Sequence, residues 1–465
     1  MPTHHTHARE PTALAAGFGN WISDSPAPEA SVRIGTFVCT ETPNPKHQRG
    51  DKSHGSSLTL RVGIGTAVAS MTRMALVSIW LSPFFATSAT ATDSPAFVMT
   101  LDGETHSDNI TRITDGTIHH QSGQQTPLTD LLRIETGQPP DNRLIQSLVV
   151  MTNGDRLAVD IIRLRDDLLV CRTFADHDLE IPIEFVRAFV LKFPRSTRRR
   201  LELLSLIDTH QQKDDIILIE NGDRITGELL DLGPSDAVLE TASGEVRAPR
   251  AGIRAIAMNV DLATPIEPPD DSYQIVLLTD GSSLSVQSLE LTDEILTGTA
   301  LFNSKVRIAL KQVAAIFARG PRIVPLSQLK PEKWTYTPFL AGSRQLELNR
   351  NSFGQDLRLS RRRYPQGLGM HSRSAANWEL NGQYSAFVSD FGIDDLANGR
   401  GSVEFHVTVD DRVEFKSKVI GKSPRQSTGL IDLTGASHLK LDVDYAIRGD
   451  LFDIANWCEP VLIRK

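Results

Sequence analysis

Cysteine is scarce in this chain. Cys39, Cys171 and Cys458 are the three present among 465 residues. They are too few and too scattered for a disulfide framework or a cysteine zinc site. Cys171 lies in an apolar run and Cys458 follows Trp457 directly, so both read as buried thiols. Their rarity does not speak against export, because an oxidising compartment permits disulfides without requiring them. Positive charge is not in excess either: 49 Lys and Arg stand against 57 Asp and Glu, a net charge of −8. That argues against general nucleic-acid binding, which needs a basic face. No apolar run reaches the roughly 20 residues that span a bilayer. What remains is an ordinary globular composition, 40% hydrophobic and 23% charged, with room for several domains.

Residues 1–70 are rich in Pro, Ser, Thr, Gly and His and show no apolar period at their start. Such a segment cannot offset the entropy of ordering it, so it reads as a disordered or non-translated extension. His4, His5 and His7 have no carboxylate or cysteine beside them and belong to that tail. Residues 71–91 carry the three parts of a secretory signal: a positive start at Arg73, an apolar core from Ala75 to Phe85, and the small-residue site Ala89-Thr90-Ala91. Cleavage is expected after Ala91, with translation beginning at Met71 or Met74. The mature protein is then exported, to the periplasm, cell surface or medium, with no stable membrane insertion.

Residues 97–318 repeat a pattern. An apolar strand leads to a Gly turn, a second strand, a hairpin and a short apolar tail. The turns are Leu101-Asp102-Gly103, Asn153-Gly154, Asn221-Gly222 and Asp280-Gly281. Asn-Gly and Asp-Gly predict type I′ hairpin turns. Each unit closes on a similar tail: Leu131-Leu132-Arg133-Ile134, Val186-Arg187-Ala188-Phe189, Ile253-Arg254-Ala255-Ile256 and Val313-Ala314-Ala315-Ile316. Four β units follow, at 97–135, 146–193, 215–258 and 273–318. They resemble small Sm-like or SH3-like barrels. Their aspartates read as turn formers, and no nucleophile, base or metal constellation stands among them. The basic run Arg195, Arg198, Arg199 and Arg200 falls in the connector Pro194–Asp215, on a predicted short helix, and reads as a solvated face rather than a nucleic-acid contact.

Residues 326–465 alternate apolar and polar positions in several short runs, as in Val403-Glu404-Phe405-His406-Val407 and Leu439-Lys440-Leu441-Asp442-Val443. Period-two alternation with turn signals between the runs predicts an antiparallel β-sandwich. Asp410-Asp411 predicts a tight hairpin. Three landmarks stand in order: Gly367-Leu368-Gly369-Met370-His371-Ser372, Phe387 to Asp395 with Gly392-Ile393-Asp394-Asp395, and Gly449-Asp450-Leu451-Phe452-Asp453-Ile454-Ala455-Asn456-Trp457. The ordered set resembles the NPCBM family of carbohydrate-binding modules, a β-sandwich (jelly-roll, galactose-binding-like) family. The expected architecture is all-β: small barrel-like units followed by that sandwich.

The resemblance implies a sugar site. Sugars stack C–H faces on aromatic rings and fork hydroxyls onto polar side chains, most strongly onto charged ones. The candidate rings are Trp457, Trp378 and Tyr384. The candidate polar groups are His371, Asp394, Asp395, Arg400, Asp453 and Asn456. Each has a plainer reading: Trp457 as core, His371 as a turn fixture, Arg400 as a loop charge. Asp394-Asp395 with Asp450 and Asp453 is also an oxygen set for a structural Ca²⁺; no other cofactor is expected. The paired carboxylates of a glycosidase are not placed by anything here. The expectation is an exported, non-enzymatic carbohydrate-binding protein that meets polysaccharide. The alternatives are an envelope structural or protein-interaction component, or an accessory subunit of a separate glycosidase.

Overall fold

A computed structural model describes residues 95–141, 145–173, 178–339, 342–421, 424–447 and 449–465. The extension 1–70, the segment 71–91 with Ala91, and Cys39 lie outside the described residues. The described chain is almost entirely antiparallel β, with one α-helix, Thr197–Asp208. No helix among the described residues is long and apolar enough to cross a membrane.

The four middle units share one plan. In each, the first strand pairs on one side with the strand after the turn and on the other with the closing tail. Ala96–Thr100 pairs Leu131–Glu135, Leu148–Met151 pairs Val186–Val190, Asp215–Ile219 pairs Ile253–Ala257, and Tyr273–Leu278 pairs Val313–Arg319. All four ladders carry a register shift near the turn. The turns also match, but they are not type I′. Gly103, Gly154, Gly222 and Gly281 have φ between +88° and +101°, whereas the Asp or Asn before each does not take positive φ. Type I′ needs both central residues positive, so these are type I turns closed by a glycine bulge. The preceding side chain accepts from the N–H two residues on, as in Asn153 Oδ1 to Asp155 N (3.0 Å) and Asn221 Oδ1 to Asp223 N (2.9 Å). The turn-forming role expected of these residues is thus what they perform.

Among the described residues, no unit closes into a barrel of its own. The closing tails instead pair with one another: Leu131–Glu135 with Val313–Arg319, and Val186–Val190 with Ile253–Ala257. Unit one is thereby zipped to unit four and unit two to unit three, and their strands join one 22-stranded network. A lone unit would leave the outer edge of its tail unpaired; pairing tail to tail removes two such edges at once. Ile134 faces Ile316 and Phe189 faces Ile256 across these seams, all fully or almost fully buried.

Both faces of the tail ladders are covered, which fits their mostly apolar sequence. Leu203 and Ile207 of the helix pack on Val150, Val190, Ile216 and Ala257 of units two and three. Ile275, Leu277 and Phe317 of unit four pack on Leu357, Leu359, Tyr364 and Cys458 of the C-terminal region.

That region is the expected sandwich. One sheet has seven strands, with Ile454–Arg464 at its centre between Gly367–His371 and Tyr384–Ile393. The other has five, with His438–Tyr445 between Ser374–Glu379 and Val403–Val409. Asp410 and Asp411 both take positive φ and make the predicted tight hairpin. Ile323–Pro325 already pairs with Ile454–Arg464. Cys171 and Cys458 are free and buried, as expected; burial pushes the Cys171 thiol up to about 12.

Candidate functional site

The motif glycines act through packing. On Gly367–His371, a side-chain carbon at Gly367 would lie 2.5 Å from the Trp457 carbonyl oxygen, and one at Gly369 would lie 2.2 Å from the Arg350 carbonyl oxygen. Only glycine lets this strand approach both neighbours. The Gly-Leu-Gly block therefore places its last residue, His371, against the start of Ile454–Arg464, where His371 pairs with Ile454.

The expected site residues separate into three places. Trp457 is fully buried between the sheets, edge-on to Phe405 at 5.0 Å and tilted against Phe391 at 5.7 Å. It presents no face to a sugar, because its alternation phase points it inward. Trp378 and Tyr384 are buried in the same core; the Trp378 indole donates to the Leu329 carbonyl at 3.2 Å.

Asp394 and Asn456 form a second, buried group. Asn456 donates to Asp394 Oδ2 at 2.6 Å, Arg358 N donates to the same oxygen at 3.0 Å, and Leu396 N donates to Oδ1 at 2.8 Å. Asp395 is exposed and accepts from Arg361 N at 2.7 Å. These carboxylates hold a turn together by accepting N–H groups. Among the described residues they do not gather with Asp450 and Asp453 around one ion; the group of three ligand side chains that does gather is Glu332, Glu379 and His438, all exposed.

The third place is the sandwich end formed by the loop between His438–Tyr445 and Ile454–Arg464. Arg400 lies over the Phe452 ring at 3.5 Å. Gly401 permits this approach, since a side-chain carbon there would lie 2.5 Å from the Phe452 carbonyl oxygen. Directly beneath, Asp453 Oδ1 accepts from Ser402 N at 2.7 Å. Asp453 Oδ2, the neighbouring Ser372 hydroxyl and His371 Nδ1 are buried without a well-formed hydrogen bond. Burial, with Asp450 adding to it, pushes the Asp453 carboxyl up to about 6 against the Ser402 N–H and the Ser372 hydroxyl. Burial also lowers the His371 pKa; Arg344 adds to this and Asp450 opposes it.

Around this polar floor the surface is apolar and aromatic. Phe452 is 38% exposed, Leu451 69% and Phe339 55%. Phe339 meets Tyr445 edge-on at 5.8 Å, Arg373 lies over Tyr445 at 5.6 Å, and Tyr336 meets His371 edge-on at 6.1 Å. Of the expected residues, the structure thus brings His371, Arg400 and Asp453 together. Sequence reasoning missed Phe339, Tyr445, Phe452, Ser372 and Arg373. Phe452 carried the one usable signal, a large aromatic inside a polar Gly-Asp loop.

Residues 323–463 match the NPCBM/NEW2 domain. A stretch of 90 residues is 33% identical to a protein of Renibacterium salmoninarum named "Putative endo-alpha-N-acetylgalactosaminidase"; it covers 19% of this chain and 6% of that protein. Among solved structures, a CBM51 module from Clostridium perfringens GH95, in complex with methyl-galactose, is similar at 22% identity. It covers 30% of this chain and 99% of its own, with a TM-score of 0.28. CBM51-2 with the INT domains of Clostridium perfringens ZmpB, in complex with GlcNAc, is similar at 20% identity over 41% of this chain and 43% of its own, with a TM-score of 0.29. The NPCBM/NEW2 domain accounts for the sandwich; the four zipped units lie outside the match.

Proposed function

We propose that this protein is a non-enzymatic, exported carbohydrate-binding protein whose NPCBM/NEW2 domain takes a glycan at the sandwich end around Arg400 and Phe452. The observation that carries this is the solvent-facing Arg400–Phe452 stack above the His371, Ser372 and Asp453 polar floor. A guanidinium fork stacked on a partly exposed ring offers donors to adjacent sugar hydroxyls beside an apolar surface for a C–H face. The unpartnered atoms below suit bridging water, which ordinarily serves such groups. The domain match supports the same ligand class.

The test is a glycan array and calorimetry on the intact exported chain, with neutral galactose- and N-acetylhexosamine-containing glycans included. Binding that falls at least about tenfold in Arg400→Ala and Phe452→Ala, with an unchanged melting temperature, supports the site. An intact protein that binds no glycan overturns the proposal and favours an envelope interaction role.

A further inference from the structure

The seam between the middle units and the sandwich holds a separate cavity of about 540 Å³. His371, Arg400, Phe452 and Asp453 are not part of it. One wall is apolar and comes from the connector and its helix: Phe193, Leu201 and Leu204. The facing wall is the hairpin region that carries Arg358, Arg361 and Arg363.

The cavity lining carries five arginines and five aspartates, and beside it Arg350 and Asp208 join the same ion-pair cluster. Arg156 bridges Asp208 at 3.0 Å and Asp356 at 2.7 Å. Arg350 takes Asp208 again at 2.7 Å, while Arg363 and Arg358 reach Asp356 at 3.5 and 3.8 Å. Two carboxylates therefore serve four arginines. Arg200 enters from the helix, stacked on Phe193 at 4.3 Å and donating to the Ile145 carbonyl at 3.1 Å. Burial lowers the Arg200 pKa, and the like charge of Arg358 adds to this. Arg363 is buried, and its Nε makes no hydrogen bond.

The other acids on the wall are already engaged. Asp394 accepts from Leu396 N, Arg358 N and Asn456; Asp395 accepts from Arg361 N; Asp280 accepts from Ser282 N. Asp141 and Asp280 have further partners of their own. Around Asp208 and Asp356 the guanidiniums crowd one another, and like charges so placed favour a nearby counter-charge. Guanidinium forks match the paired oxygens of carboxylate and phosphate. The volume falls within the roughly 300–1,000 Å³ of small-ligand cavities.

We propose that this cavity binds a compact ligand bearing an oxyanion, a carboxylate or a phosphate, with the oxyanion among Arg200, Arg358 and Arg361 and the body against Phe193 and Leu204. This goes beyond the glycan site at the sandwich end and uses none of its side chains.

Calorimetry on the intact chain tests it, with glucuronate, glucose 6-phosphate, inorganic phosphate and uncharged glucose as probes. At least one anion binds, glucose does not, and the anion's affinity falls tenfold or more in the Arg358→Gln/Arg361→Gln variant. Both side chains are exposed, so the fold is retained; circular dichroism and the melting temperature verify this. Arg200→Gln, from the opposite wall, weakens the same anion. Glucuronate binding without phosphate binding assigns a carboxylate ligand, and the reverse assigns a phosphate. Native protein that binds none of the three anions overturns the proposal, as does undiminished affinity in the double variant. Neutral-glycan binding unchanged in the double variant separates this result from the Arg400–Phe452 site.

Discussion

Arg133 in the tail of the first unit donates to Asp390 in the seven-stranded sheet of the sandwich, at 2.8 Å across 257 residues of sequence. Both side chains are buried. Arg425 donates to the other Asp390 oxygen at 2.8 Å and to Glu135 at 2.6 Å, and Arg362 reaches Glu135 at 2.9 Å. A second buried pair, Arg319 with Glu459, lies in the same seam. The sandwich is therefore not a bead on a string; its outer sheet face is ion-paired to the units before it.

Without Asp390, Arg133, Arg362 and Arg425 would crowd onto the single carboxylate of Glu135. Asp390→Ala is expected to cost about 3–5 kcal/mol, read by chemical denaturation. Arg133→Met/Asp390→Leu, which removes both charges, should recover part of the loss. The same network sets an acid limit. Burial alone would raise the Glu135 pKa, but hydrogen bonds and charge from Arg425, with Arg133 and Arg362, hold it at about 2. A carboxyl depressed in the fold gives stability that is present above its ordinary pKa and lost as pH falls towards 2. Glu135→Gln should show a lower melting temperature at pH 7 and a smaller loss between pH 4.5 and 2.

Trp457 separates a core role from a stacking role. Trp457→Ala should destabilise by about 3–5 kcal/mol through its cavity. The indole N–H has no hydrogen-bond partner, so Trp457→Phe loses no bond and should cost under about 2 kcal/mol. Glycan affinity in the folded Trp457→Phe protein should match that of the native protein. A selective loss of affinity would instead make this ring part of the site.

His371 and Asp453 should pull the pH profile in opposite directions. The Asp453 carboxyl, raised to about 6, binds its proton more tightly in the folded chain, so its contribution falls as pH climbs from about 4 to 6. His371, lowered by burial, must charge in acid, so its contribution falls as pH drops below its ordinary value near 6.5. Asp453→Asn should raise the melting temperature at pH 7 and leave a profile that declines towards acid. His371→Gln should leave one that declines towards neutrality. Melting curves of the two variants from pH 4 to 8 check this; parallel profiles would refute it.

Gly369→Ala should fail where Gly233→Ala succeeds. At Gly369 the added carbon meets backbone at 2.2 Å, whereas at Gly233 its nearest neighbour is 3.6 Å away. A loss of roughly 2 kcal/mol or more at Gly369, against about zero at Gly233, is expected from denaturation midpoints.

Local rules made much of this chain legible. The four Asx-Gly turns, the matching tails, the short helix and the alternating runs of the sandwich all follow from period, turn chemistry and β-propensity, which act over a few residues. The turn type was misjudged because Asn-Gly and Asp-Gly serve a glycine bulge as readily as a type I′ turn, and the flanking register decides which forms. The landmark blocks fixed the fold of the sandwich better than its site. Trp457 and Asn456 are adjacent, and the pleat alone sends one into the core and the other to Asp394.

By itself the sequence determined the β units, the sandwich and the residues able to serve a ligand. Tertiary structure decided how they combine. The closing tails pair with each other because each unit leaves an edge of unpaired backbone groups that the tail of another unit satisfies. Phe452 joins Arg400, and Arg200 and Arg358 line one cavity, because loops and seams distant in sequence are brought together by burying apolar faces. That burial depends on shape and on desolvated charge, neither of which a linear pattern records.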